Sequence, residues 1–238
     1  MEPPPRAFGR PVLSLLTCAI LIPLWAGTTA HAQSIFVPVQ SKSARNLGPA
    51  TLLVASRDLE DPNFAKTVIL LVHYDAESVL GLIINRHTDV PVARLFDGLK
   101  AAKTREDSIY LGGPVEISTV FALLSSPDKL KGAAPVFGEV YLISTKMMLE
   151  KTMATGPDPE SFHVYMGYAG WTNDQLRKEV ALGMWYIFQA DADSVFDSNP
   201  DSLWLRMIKK TEQTLAAAPL RLDPFAVEHF AFRRALQN

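Results

Sequence analysis

Cysteine is nearly absent from this chain of 238 residues: Cys18 lies in an apolar run close to the N-terminus, and no other follows it. Beyond that run there is no disulfide, no thiolate nucleophile and no cysteine-ligated metal. An excess of one charge is missing too, since 23 basic and 25 acidic residues interleave to a formal −2. A nucleic-acid binder carries a basic patch or stripe, and none is visible. Histidine is sparse. His73, His87, His163 and His229 follow the N-terminal segment, none three or four positions from another and none in a His-Glu-x-x-His arrangement, so a metal site has no support in the sequence. The chain has no Gly-x-Ser-x-Gly elbow of a serine hydrolase. It also lacks internal repeats and low-complexity tracts. No apolar run reaches the ~20 residues a spanning helix needs.

What is present begins with an export signal over residues 1–32. Arg6 and Arg10 precede an apolar run from Val12 to about Gly27, and Ala30-His31-Ala32 supplies the small-x-small pattern of a signal-peptidase site. Cleavage there makes Gln33 the new N-terminus and removes Cys18 with the leader. The other 206 residues keep 21 of the 23 basic and 24 of the 25 acidic groups, a formal −3. The expected location is the periplasm or the exterior, with no stable membrane span after cleavage. A cytoplasmic location is the alternative if the segment is not a signal. Residues 33–48 are polar and read as a tether, and 49–238 as one domain, large enough for its own core.

Within that domain, short β-type runs alternate with amphipathic stretches. Thr51 to Ser56, Thr67 to Tyr74 and Val79 to Asn85 are rich in Val, Ile and Leu and are bounded by turn residues, and the polar Tyr74-to-Ser78 link makes the last two an antiparallel hairpin. Val92, Leu95, Phe96 and Leu99 have helical spacing, with Thr88 or Asp89 as cap. Further strands are expected at Ile109 to Leu111, Val120 to Ser125, Glu139 to Ile143 and Phe162 to Gly167, with Ser144 capping a short Met147/Met148 helix. Thr172-Asn173-Asp174-Gln175 reads as a capping box, followed by a helical stripe of Leu176, Val180, Gly183, Met184 and Ile187. Pro200 opens another helix whose face is Leu203, Trp204, Met207 and Ile208, and a helical tail follows from about 220. Strands and helices do not strictly alternate. The expected class is therefore α+β, with a mixed sheet rather than a doubly wound parallel one.

Four motifs stand in order: Asp61-Pro62-Asn63-Phe64, Gly81-Leu82-Ile83-Ile84-Asn85-Arg86, Tyr110-Leu111-Gly112-Gly113-Pro114-Val115, and Gly167-Tyr168-Ala169-Gly170-Trp171 followed by Gln175-Leu176. With Val195-Phe196, Pro200 and Trp204 they resemble the YqgE/AlgH family over about Gly48 to Ile208. The resemblance implies a largely antiparallel, partly barrel-like sheet flanked by helices. It implies no reaction; the family is named for a suggested regulatory role. This chain departs from the pattern at Ser56-Arg57, where members usually read Met-Pro, at His87, where proline is frequent, and in its export signal. A periplasmic protein does not meet a promoter, so the signal weighs against a cytosolic transcriptional regulator.

The candidate ligand-binding residues are Asn85, Arg86, Gly112, Gly113, Tyr168 and Trp171. Asn85-Arg86 closes a buried strand, where a guanidinium is placed to grip a carboxylate or phosphate, or else pairs with Asp61 or Asp89 while Asn85 closes a turn. Gly112-Gly113-Pro114 either presents N–H groups to an anion or is a tight connection, and it lacks the lysine and hydroxyl residue of a P-loop. Tyr168 and Trp171 either wall a pocket or staple the following helix. If the motifs converge, they form a small polar cleft with an aromatic wall. No catalytic residue is assigned, although His73 or His163 with Ser56 or Ser125 remains open as a base and nucleophile. The expectation is a protein of the cell envelope, without a cofactor, that binds a small anionic ligand or a protein partner, with an enzyme of anionic substrates as the alternative.

Overall fold

The computed structural model describes residues 47–96 and 98–217, with side chains to 213. The signal, nearly all of the tether and the tail expected from about 220 lie outside the described residues. The strands, with their limits, are β1 (Thr51–Ala55), β2 (Val68–Tyr74), β3 (Val79–Ile83), β4 (His87–Pro91), β5 (Ser108–Leu111), β6 (Val115–Ser125), β7 (Ala134–Phe137), β8 (Val140–Ile143), β9 (Phe162–Trp171) and β10 (Trp185–Gln189). The helices are α1 (Val92–Leu95), α2 (Lys146–Ala154), α3 (Asn173–Ala181), α4 (Ala192–Val195) and α5 (Pro200–Ala217), with a 3₁₀ turn at Lys100–Ala102.

The sheet runs β10-β1-β2-β3-β9-β6-β8-β7, and β4 joins it through β5. Every described pairing is antiparallel except β5 with β9, where Ile109, Tyr110 and Leu111 lie opposite Val164, Tyr165 and Met166. The result is the α+β class, a mixed and largely antiparallel sheet curled into a half-barrel with helices against it. Strand β9 organises it, pairing with β3 and β5 opposite β6. The five residues of β1 are all buried, as expected of an apolar strand flanked by neighbours in the sheet's interior.

The β2–β3 hairpin forms as expected, with Tyr74 opposite Val79. Its turn is held by the Asp75 carboxylate, which accepts from the backbone N–H groups of Glu77 and Ser78, both at 2.8 Å. Those donors, helped by His73, lower the Asp75 pKa to about 2. On α5, Leu203, Trp204, Met207 and Ile208 are buried on the face their spacing specified, in the larger apolar cluster with β1, β2 and β3. A second cluster gathers Met148, Leu149 and Met153 of α2 with Ala122, Phe162 and Val164 of the sheet.

Four local expectations are revised. The helix expected through Leu99 is a single turn, α1, because residues 87–91 are extended and paired with β5, and Thr88 donates its hydroxyl to the Ile109 carbonyl at 2.9 Å instead of capping. Leu95, Phe96 and Leu99 still pack on the second cluster, so their spacing reported burial rather than helix. Thr145, not Ser144, caps α2, accepting from the Met148 amide. Thr172 does accept from the Gln175 amide at 3.2 Å, but the Gln175 side chain donates to Glu179 and does not return to the cap. Finally, α3 ends at Ala181, and Gly183, at φ +80°, turns the chain into β10. Trp185-Tyr186-Ile187-Phe188 is β-branched and aromatic, the composition of a strand, and β1 was waiting for an antiparallel partner.

Candidate functional site

The residues singled out by sequence divide between several places. The Asn85 side chain accepts from the Val68 amide at 2.7 Å and donates to the Lys66 carbonyl at 3.0 Å, latching the end of β3 to the start of β2. Arg86 donates to the Asn63 carbonyl at 3.0 Å and to that of Ala65 at 3.4 Å, so its partners are loop carbonyls and not Asp61 or Asp89. The loop itself is an Asx turn in which Asn63 donates its amide to the Asp61 carboxylate. Gly112 gives its N–H to the Met166 carbonyl and accepts from the Ile83 amide. Glycine is required here by close approach: a Cβ on Gly112 would sit 2.3 Å from the Gly167 carbonyl oxygen, and one on Gly113 would sit 2.1 Å from the Tyr168 carbonyl carbon.

Tyr168 and Trp171 share a concavity of about 500 Å³ with His73, Leu80, Val115 and Gln175, which none of the other four candidates lines. Trp171 is mostly a core group. Its ring stacks on Phe64 at 5.8 Å and meets Trp185 edge-on at 6.1 Å. The indole N–H groups of Trp171 and Trp185 both donate to Glu179 Oε2 at 2.9 Å, while Gln175 donates to Oε1 at 3.0 Å. One carboxylate thus satisfies two buried indoles. Sequence reasoning passed over Glu179, whose signal was its place one turn beyond Gln175 on α3.

A larger concavity lies elsewhere. A cleft of about 770 Å³ opens between β5, the segment leading into β9, and the α4–α5 connection. Its wall is a run of rings: Tyr110 stacks on His163 at 4.6 Å and 22°, and His163 meets Phe196 at 5.2 Å. Tyr165, fully buried, lies 5.3 Å from Tyr110. Ser125 and Ser161 contribute hydroxyls, and Glu160, Asp193 and Asp197 carboxylates. Burial lowers the His163 pKa to about 4, against opposing pulls from Asp107 and the Val195 backbone. Burial, with Asp197, Asp107 and Asp201 nearby, pushes Tyr110 up to about 12. Both rings are therefore uncharged at neutral pH. The His163 Nδ1 atom and the Tyr165 hydroxyl are buried without a hydrogen-bond partner among the described residues.

His163 and Ser125 do share this cleft, but His163 Nδ1 accepts from neither serine, and the Ser161 hydroxyl donates to the Asp158 carbonyl at 3.1 Å. His73 is elsewhere, beside Asp75 at the β2–β3 turn, with Nε2 2.8 Å from its carboxylate. His87 bridges to α5, its Nε2 3.3 Å from Asp201 and its ring edge-on to Tyr110 at 6.2 Å. Among the described residues no group of three His, Asp or Glu stands close enough to hold a metal ion.

A family model described as AlgH-like (DUF179) matches residues 52–216, which include both concavities and every candidate residue. The chain belongs to the AlgH-like family. Among its relatives are UPF0301 proteins of Chlorobium phaeobacteroides, 31% identical over 71% of this chain and 90% of the relative, and of Myxococcus xanthus, 34% identical over 67% and 88%. The solution structure of the AlgH protein from Pseudomonas aeruginosa is similar, with a TM-score of 0.54 and 26% identity over 76% of this chain and 92% of that one. A crystal structure of a Corynebacterium diphtheriae protein shares the fold, with a TM-score of 0.58 and 18% identity over 69% and 87%. Within this AlgH-like frame the departures are used locally. Arg57, where proline is usual in the resembled pattern, pairs with Glu212 at 2.6 Å and lies over the Trp204 ring, and His87 ties β4 to α5.

Proposed function

We propose that this chain is an exported, non-catalytic ligand-binding or regulatory module of the cell envelope, and that its ligand site is the Tyr110–His163–Phe196 cleft. The observation that carries the reading is the state of His163. It lines a concavity of ligand size, yet it is stacked, held neutral by burial, and hydrogen-bonded to neither serine beside it. A general base aligns with the proton it removes, whereas this imidazole serves as part of an aromatic wall. Export is supported by Arg6 and Arg10, the apolar run and Ala30-His31-Ala32. Among the described residues no helix is long and apolar enough to cross a membrane.

The test is the intact mass of the protein in separated periplasmic and cytoplasmic fractions of its host. A periplasmic species beginning at Gln33 supports the reading. A full-length cytoplasmic species overturns the envelope role and restores the cytosolic regulator.

A further inference from the structure

We infer that the cleft binds a small organic cation, a compact molecule bearing an ammonium or guanidinium group that rests on the Tyr110–His163–Phe196 wall with its charge toward Glu160 and Asp193. The inference rests on reading the cleft as a ligand site and adds the chemistry of what enters it.

Three independent features agree. The first is sign. Glu160, Asp193 and Asp197 line the cleft, and no lysine or arginine is among its described lining residues. Asp197 is engaged by Arg206, and Asp193 also borders the smaller neighbouring concavity that Arg206 and Lys210 line, but neither Glu160 nor Asp193 forms an ion pair among the described residues. The second is the wall. Carboxylates alone would be an ordinary solvated rim, whereas here they border the half-buried rings of His163 and Phe196, with Tyr110 buried against His163, and an aromatic face attracts cations electrostatically. The wall carries no opposing charge, because Tyr110 and His163 are both neutral near pH 7. The third is size. A volume of about 770 Å³ lies in the range that accommodates small molecules.

An anion is disfavoured on the same grounds. Arg86, the residue expected to grip one, spends its donors on the Asn63 and Ala65 carbonyls and does not line this cleft.

The experiment titrates the isotopically labelled full chain with four probes: choline, agmatine, the neutral choline isostere 3,3-dimethylbutan-1-ol, and succinate. The aromatic resonances of Tyr110 and Phe196 are followed. The expected result is that at least one cation shifts both resonances saturably in the millimolar range or below, and that the isostere binds at least about tenfold more weakly than choline. The paired substitution Glu160→Gln with Asp193→Asn, isosteric and at exposed positions, should weaken the cation about tenfold and leave the isostere unchanged. An unchanged melting temperature verifies that this variant is folded. Equal binding of isostere and choline, tighter binding of succinate, or a cation affinity indifferent to the paired substitution overturns the inference while leaving the cleft a ligand site. No response to either cation also overturns it, and the fractionation result then stands as the separate test of the envelope reading.

Discussion

Around Trp171 and Trp185 each buried indole N–H reaches Glu179, whereas around Tyr110 and His163 two buried polar atoms, His163 Nδ1 and the Tyr165 hydroxyl, reach nothing. Both regions are aromatic clusters on the same sheet, and they differ in how the protein answers their ring nitrogens, although the Tyr74 hydroxyl, paired through Val79 to the Trp171 side, is also buried without a partner among the described residues. Burying an unanswered polar group costs stability, so a fold keeps one where packing alone is not what the site serves. The family motifs reach both sides, since Tyr110, Phe196 and Pro200 line the cleft. Glu179, Asn85, Arg86 and the paired glycines are all tied into internal bonds or tight backbone contacts. The ligand-sized concavity with a ring wall and unpaired carboxylates is on the other side.

The contrast can be broken by substitution. Gly113→Ala drives a methyl into the Tyr168 backbone and should cost about 3 kcal/mol, read as a lowered urea midpoint; a neutral outcome would return this turn to the list of candidate ligand contacts. Glu179→Ala strands two buried indole donors and should cost roughly 2.5 kcal/mol in the same assay, with both tryptophans changing fluorescence. His163→Phe should behave in the opposite way, being tolerated at pH 7 and protective in acid. The unfolded chain takes up the His163 proton near 6.5 and the folded chain only near about 4, so unfolding binds a proton between those values and stability falls as pH falls. Relative to wild type, His163→Phe should therefore gain on the order of 2–3 kcal/mol as pH falls from 7, levelling off only below about pH 3. A flat difference would mean that the imidazole is better solvated than its packing indicates. Asn85→Ala should cost about 1.5 kcal/mol through the buried Val68 amide it leaves unpaired.

The contrast also explains what was legible in the sequence. Strands β1, β2 and β3, the hairpin turn and the apolar face of α5 follow from period, turn chemistry and composition, which are local properties. The helix expected through Leu99 and the one carried past Gly183 failed for a common reason: apolar residues at helical spacing are also what a strand or coil presents when both its sides are covered. Whether residues 87–91 and 185–189 pair is decided by β5, the next strand along, and by β1, near the other end of the described chain. The site was half legible. Tyr168 and Trp171 were chosen because they are aromatic and close to glycines, and they do line a concavity, though Trp171 is tied into the core. Tyr110 and Phe196 stood inside family motifs that did not mark them as a site, and Asp193 gave no sign until α4 brought it to the same cleft. His163 was weighed as a base for Ser125, and the two do share a cleft, but no linear pattern announces that a histidine will be stacked and neutral.

The three-way pairing of β9 has a consequence in time. Strands β3, β5 and β6 all precede β9 in the chain, and each depends on it for part of its pairing. The middle of the sheet therefore cannot close until the chain has been made as far as Trp171. Hairpins can form earlier, but the assembly stays open and the long-range contacts are gained late and together.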